Sequence, residues 1–384
     1  MIYLDNAATS FPKPASVTRE QMLCMQRACG NPGRGAHTLS RRASETVYEC
    51  REAVASLFSS PNPENVIFTM NTTMALNIAI KGLLREGDHV LLSDMEHNAV
   101  LRPIHKLFES GRITYELFPT YPTTPEKATP KRICAEILER IRPNTRMLVC
   151  AHASNICSAS LPLAEIGVLC RQRGILFVVD GAQSAGHLPI DMERMQIDAL
   201  CVPGHKGLLG PPGTGCLLLG AGVIADTLIE GGSGYNSRDV SMPEDAPERY
   251  EAGTLPTAAL AGLCTGVREV QQRGIAAIHE HTCALVDQLA EHLREIRGIE
   301  LYAPHHRGGV LLFNANGIPA DRLGEALDAH GFCVRSGLHC APLAHKTLGT
   351  PPSGAVRVSP SIFNTSAHII AFADCVRELV NAKK

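Results

Sequence analysis

Two residues at the ends of neighbouring apolar runs have types suited to cofactor chemistry. Ile175 to Val179 reads as a short, fully buried strand, and it ends on a carboxylate, Asp180. A second apolar run, Ala199 to Val202, leads to Lys206, which follows His205 and is framed by glycines. A buried acid and a glycine-framed amine at adjacent strand ends suit a pyridoxal 5'-phosphate (PLP) site. The amine forms a Schiff base with the cofactor aldehyde, and the acid holds the pyridine nitrogen protonated. Either residue alone reads more simply, as an acid closing a strand or a lysine on a loop.

Further candidates fall around this pair. Thr72 and Thr73 open a helix, where hydroxyls, free N–H groups and the helix dipole together favour a phosphate. Without the cofactor argument they would be an ordinary threonine cap. His97 stands at the next strand-to-helix junction, where an imidazole can stack on a pyridine ring and exchange protons; a surface histidine is the plainer alternative. Asn155 and Gln183 can donate hydrogen bonds to the ring oxygen. In CVRSGLHCAPLAHKTLGT, Cys333 to Thr350, Cys340 follows His339, lies near Arg335 and precedes Ala341-Pro342, where a helix can begin. Cationic neighbours and a helix N-terminus lower a thiol pKa, which makes Cys340 the best candidate nucleophile among 14 cysteines. Most of the others sit in apolar runs and read as small, reduced core residues. Arg357, in AVRVSP, can clamp a carboxylate bidentately; otherwise it is a solvated charge.

The elements that must position these groups alternate. VIFT (66–69), HVLLS (89–93), RITYELF (112–118) and RMLVCA (146–151) read as strands. Helices are expected from Thr72 to Leu84, after His97 and from Leu163 to Arg173. Such alternation predicts a mostly parallel, doubly wound sheet, with ligands beyond the carboxyl ends of its strands. The N-terminal arm MIYLDNAATSFPKP is extended by its prolines, and a helix follows from about Ser16. In the glycine-rich GNPGRGAHTLS, Arg34 and His37 are candidates for a ligand or interface role, and Ser40 is expected to cap the helix through Val54. Gly231 to Pro256 is a long polar connector of a length usually kept for function. Beyond it, helices broken near Gly274, strands near 309–313 and 332–335, and a helix from Ala367 suggest a second unit. We divide the chain into a large α/β domain (15–255) and a small α+β domain (1–14 with 256–384).

Composition bounds the class of protein. The 384 residues are 45% hydrophobic and 19% charged, ordinary for a globular enzyme, and the formal net charge of −2 argues against a broad nucleic-acid surface. No apolar stretch reaches the length of a membrane span, and the N-terminus lacks a signal-peptide pattern, so the cytoplasm is expected.

Ten strings run in order along nearly the whole chain: YLDNAAT, GRGAHTLS, TTMALN, EHNAV, HASN, VVDGAQSAGH, GHKGLLGP, RYEAGT, RSGLHCAP and VRVSPSIFNT. On these the chain resembles the fold-type I PLP enzymes of aminotransferase class V, and within them the cysteine desulfurases. The compact RSGLHCAP loop is nearer the type II, short-loop desulfurases and selenocysteine lyases. The resemblance implies Lys206 as the Schiff-base lysine, Asp180 on the pyridine nitrogen, and Gln183 and Asn155 on the ring oxygen. It implies His97 stacked on the ring and Thr72, Thr73 and His205 on the phosphate. Thr254 would reach the phosphate of a neighbouring subunit, so a homodimer is implied. Arg357 would anchor the carboxylate of L-cysteine or L-selenocysteine, and Cys340 would receive sulfur as a persulfide, with a sulfur-acceptor protein as a possible partner. Two positions depart from the pattern: Pro203 stands where a phosphate-binding hydroxyl is common, and Leu338 replaces a polar residue before the His-Cys pair. The expected reaction is sulfur removal from L-cysteine to give L-alanine. The alternatives are a selenocysteine lyase or another PLP-dependent C–S lyase, and, outside enzymes, a non-catalytic dimeric sulfur-transfer scaffold.

Overall fold

A computed structural model describes residues 1–33, 35–235 and 238–382. Arg34 lies outside the described residues.

The chain opens with β1 (Ile2–Tyr3), α1 (Ala15–Arg27) and α2 (Thr38–Leu57). Next come β2 (Val66–Thr69), α3 (Thr72–Leu83), β3 (Asp88–Ser93), α4 (Asn98–Glu109) and β4 (Ile113–Phe118). They are followed by α5 (Pro130–Arg140), β5 (Thr145–Ala151), α6 (Leu163–Arg173), β6 (Leu176–Asp180), β7 (Ala199–Pro203) and β8 (Gly215–Leu219). After the connector stand α7 (Thr257–Arg273), α8 (Ile275–Arg294), β9 (Ile299–Tyr302), β10 (Leu311–Ala315) and α9 (Ala320–Ala329). The last elements are β11 (Phe332–Cys333), β12 (Arg335–Gly337), α10 (Pro342–Leu348), β13 (Ala355–Val358) and α11 (Ser366–Asn381).

Seven strands form the main sheet in the order β2-β8-β7-β6-β5-β3-β4, and only β8 runs against its neighbours. The expected mostly parallel α/β sheet is therefore present. Side-chain alternation divides its core into two layers. Phe177 and Val179 of β6 pack with Leu148, Cys150, Leu200 and Val202 on one face. Val178 packs with Met147, Val149, Ala199 and Cys201 on the other. These side chains are fully buried, and each removes enough apolar surface to contribute roughly 1.5–3 kcal/mol for the larger ones. Such a sheet leaves no solvent-facing side, so polar groups collect where the parallel strands stop.

A second, antiparallel sheet has the order β12-β13-β10-β9 and carries a core of its own with α8, α9 and α11. β1 pairs in parallel with β11, which joins the N-terminal arm to this unit. The intervening helix α7 faces the large sheet: Leu260, Leu263, Cys264 and Val267 belong to its core.

One expected cap is displaced. Ser40 lies inside α2, and the residue that caps this helix is His37, whose Nδ1 accepts the Ser40 N–H at 3.2 Å. The helix starts a turn earlier than the sequence pattern suggested, because an imidazole with extended backbone satisfies the free N–H as well as a hydroxyl does.

Candidate active site

The parallel strands deliver their polar residues to one cleft of about 570 Å³, lined by Thr72, Thr73, His97, Asn155, Asp180, Gln183, His205 and Lys206, with Asn71 and Pro203. Eight of the sequence candidates thus converge, as expected for groups beyond the carboxyl ends of parallel strands.

Asp180 closes β6, is buried, and accepts the Ala182 N–H at 2.9 Å. Burial pushes its pKa up, opposed by that N–H and by the charge of Lys206. Lys206 follows β7, and its ammonium is depressed to about 8, first by desolvation and then by the Arg357 charge. The glycines around it have a steric reason. A Cβ on Gly204 would lie 2.1 Å from Thr214 Oγ1, and one on Gly207 would lie 2.1 Å from the Ala185 carbonyl. Only glycine lets this turn pack so closely.

Asn71 caps α3 by accepting the Met74 N–H at 3.0 Å, so Thr72 and Thr73 stand at the first positions of a twelve-residue helix. Thr72 Oγ1 is buried and has no partner among the described residues. A buried, unused hydroxyl at a helix N-terminus fits an anionic oxygen. His97 caps α4, its Nδ1 accepting the Ala99 N–H at 3.0 Å. That bond places its other nitrogen as the free one. Burial, then Lys206, Arg335 and Arg357, lower its pKa to about 4, so the ring is neutral. His205 is also neutral, depressed to about 4 by burial and by Lys206 and Lys13. Together the buried acid, the low-pKa amine, the neutral ring and the orphaned hydroxyl fit PLP as the group this cleft holds.

The small unit reaches the cleft through its loop. The Cys340 carbonyl accepts the Asn98 N–H at 2.8 Å, beside His97. Asn155 Nδ2 donates to the His339 carbonyl at 2.9 Å. Cys340 itself is exposed, and Arg335 Nη2 approaches its Sγ at 3.6 Å. Arg357 is 1% exposed on β13; its Nη1 donates to the Asn155 carbonyl at 3.1 Å. Its Nη2 holds Asp5 at 2.6 Å, while Nε is buried without a partner among the described residues. Arg357 is therefore neither a surface charge nor a wholly free clamp.

Two of the candidate amides also hold backbone carbonyls. Besides the Asn155 bond, Gln183 Nε2 donates to the Ala7 carbonyl at 3.0 Å. Each amide has one further hydrogen for a ring oxygen. Thr254 is exposed and is not among the described residues lining the cleft of its own chain. Pro203 ends β7 opposite Gly215 on the cleft wall.

Sequence reasoning missed the arm's grip on the site. The His205 carbonyl accepts from Thr9 Oγ1 at 3.0 Å, Ser10 N–H at 3.0 Å and Lys13 Nζ at 2.7 Å. The signal available was the density of polar groups in DNAATSFPK, which composition alone does not assign. Missed too were Asp5, which pairs with Arg357, and His345, which meets His339.

Comparison with known proteins gives the family of the chain. The family model described as aminotransferase class-V matches residues 2–372. A protein of Methanothermobacter thermautotrophicus named "Probable cysteine desulfurase" is 34% identical over 386 residues, covering 98% of this chain and 94% of that one. Another of that name from Pyrococcus abyssi is 31% identical, covering 100% and 95%. An apo structure of a cysteine desulfurase from Thermococcus onnurineus NA1 superposes with a TM-score of 0.90 at 29% identity, covering 99% of this chain and 95% of that one. The chain belongs to the cysteine desulfurases of the class V aminotransferase family.

Proposed function

We propose that this chain is a PLP-dependent cysteine desulfurase that converts L-cysteine to L-alanine and keeps the sulfur as a persulfide on Cys340. The observation that supports this reading is the pair of hydrogen bonds by which Asn98 and Asn155 hold the Cys340 and His339 carbonyls, so that the backbone of the thiol loop lies against two residues next to or lining the cleft of Lys206 and Asp180.

Lys206, Asp180, Gln183, Asn155, His97, Thr72, Thr73 and His205 would hold the cofactor, and Thr254 of a second copy would complete the phosphate contacts in a homodimer. When bound, PLP supplies an electron sink next to the substrate Cα. Arg357 binds the substrate carboxylate through the donors that Asp5 and Asn155 leave free. Lys206 Nζ, with its pKa near 8, is neutral in enough molecules to accept the Cα proton. His97 would meet the cofactor ring as a neutral imidazole. Cys340 Sγ, as thiolate, attacks the substrate sulfur: the S–S bond forms, the substrate C–S bond breaks, and its electron pair stays on carbon. Lys206 and solvent return protons to that fragment, which leaves as alanine. The exposed Cys340 then presents the terminal sulfur to a thiol acceptor, such as a sulfur-acceptor protein.

We assign the cofactor site to residues 15–255 and the thiol loop and carboxylate anchor to 1–14 with 256–384, with α7 bridging the two. Unpaired cysteines throughout the chain suit a reducing compartment, and we assign the protein to the cytoplasm. None of its described helices is long and apolar enough to cross a membrane.

The test is alanine formation from L-cysteine, measured with PLP bound and after its removal. Equal turnover in both states would defeat the proposal. L-selenocysteine in parallel reads the specificity: turnover of selenium alone would make the protein a selenocysteine lyase.

A further inference from the structure

The loop that carries Cys340 is strained, and a buried histidine pair outside the cofactor cleft is built into it. His339 and Cys340 both have positive φ, 51° and 55°, a conformation that costs non-glycine residues about 1 kcal/mol or more each. Consecutive residues stay there only where the surroundings over-determine them. Their carbonyls are held by Asn155 and Asn98, as described, and the Ala341 N–H turns back to the Leu338 carbonyl at 2.9 Å.

The third restraint is a directional chain of side chains. His339 Nε2 faces the Arg335 carbonyl at 3.2 Å. His339 Nδ1 faces His345 Nε2 at 3.0 Å, with the rings stacked at an interplanar angle of 12°. His345 Nδ1 faces Thr350 Oγ1 at 2.8 Å. A carbonyl only accepts, so His339 Nε2 carries a proton and its neutral Nδ1 accepts. His345 Nε2 must then donate and its Nδ1 accepts, so the single Thr350 hydroxyl proton goes to Nδ1 at 2.8 Å in preference to the His345 carbonyl at 3.3 Å. Every tautomer is fixed from one end. Both imidazoles are 2% exposed, and burial depresses them to about 3 and about 4, with Arg357 and Arg335 adding to the effect on His339. Both rings are therefore neutral at neutral pH, as the chain requires.

The consequence falls on Arg335 and Cys340. The chain anchors the Arg335 backbone to α10, and Arg335 Nη2 points back at Cys340 Sγ. We propose that His339, His345 and Thr350 are positioning residues that hold the sulfur-accepting thiol and its guanidinium partner in their reactive arrangement, acting through the loop and not by touching substrate. This inference rests on Cys340 being the sulfur acceptor, and the experiment separates the two.

The variants are His345→Phe, which keeps an aromatic ring but removes both of its hydrogen bonds, His345→Gln, which can restore a donor and an acceptor, and Thr350→Val, which removes the terminal hydroxyl. Each is loaded with PLP and assayed for alanine from L-cysteine, with Cys340→Ala as reference. The expected result for His345→Phe is a kcat reduced roughly tenfold or more with KM within about twofold, since the lost order bears on the reacting geometry and not on ground-state binding. The visible absorbance of bound PLP should be unchanged. His345→Gln should recover most of the loss, and Thr350→Val should fall between the two. The proposal is overturned if His345→Phe turns over like wild type while Cys340→Ala is inactive, or if kcat, KM and PLP binding all fail together in both His345 variants. A fully active Cys340→Ala would instead overturn the reading of Cys340 on which the inference rests.

Discussion

Arg357 and Asp5 stand 352 positions apart and form an ion pair of 2.6 Å across the junction of the N-terminal arm and β13. The guanidinium is almost wholly buried, and Asp5 is its only anionic partner among the described residues. The arm is thereby a structural component of the substrate site, since it fixes the orientation of the group assigned to the carboxylate.

Removing Asp5 leaves a buried cation without its counter-charge. Asp5→Ala is expected to destabilise the protein by about 3 kcal/mol, the usual cost of breaking a buried pair from one side. A lower midpoint in chemical denaturation checks it. Arg357→Gln should raise the KM for L-cysteine roughly tenfold or more through loss of a charge-assisted contact, with bound PLP retained.

Glu96 adds a pH dependence. It is fully buried beside the cleft wall, its Oε1 taking the Ser93 hydroxyl and the Ala151 N–H, while Oε2 has no partner among the described residues. Burial raises its pKa from 4.5 to about 8. The folded state therefore holds a proton that the unfolded chain releases, so stability falls as pH rises from about 4.5 towards 8 and levels off above. Glu96→Gln should remove that slope and gain stability relative to wild type as the pH approaches 8. Denaturation curves for both proteins across that range are the check.

His97 caps α4 and is proposed to meet the cofactor ring, and a single substitution can separate the two. Asn is a good helix cap, so His97→Asn should keep α4 intact with a stability change of about 0.5 kcal/mol or less. Loss of the imidazole over the proposed cofactor ring should nevertheless lower kcat roughly tenfold or more, through poorer positioning of the reacting groups. Paired thermal melts and steady-state rates distinguish the effects.

The parts of the site legible in the sequence were those whose signal is local. Apolar runs ending in Asp180 and before Lys206 announce buried strands with polar ends, and the threonine pair and His97 sit at recognisable junctions. Short apolar runs likewise mark six of the seven strands in the main sheet. The seventh, β8, is a five-residue run behind a glycine turn, and nothing in its pattern tells an antiparallel insertion from a core loop. Long-range electrostatics were not legible. Arg51 and Glu251, 200 positions apart, form a buried pair in which Glu251 also accepts the Phe68 N–H at 2.6 Å, and this ties the polar connector to β2. Composition shows charges there but no partners. The same limit hid Asp5 from Arg357; His345 lies only six positions from His339, and what hid that pair is the irregular turn between them, which has no periodicity to read.

The central claim is that sulfur from L-cysteine arrives on Cys340. The most direct measurement is a single turnover of the PLP-loaded protein with L-cysteine, followed by alkylation and mass spectrometry of the peptide containing Cys340. The account predicts that this peptide gains the mass of one sulfur atom in step with alanine release, and that Cys340→Ala releases no alanine while keeping its bound PLP. Alanine released without added sulfur on Cys340, or the extra sulfur found on another cysteine, would contradict it.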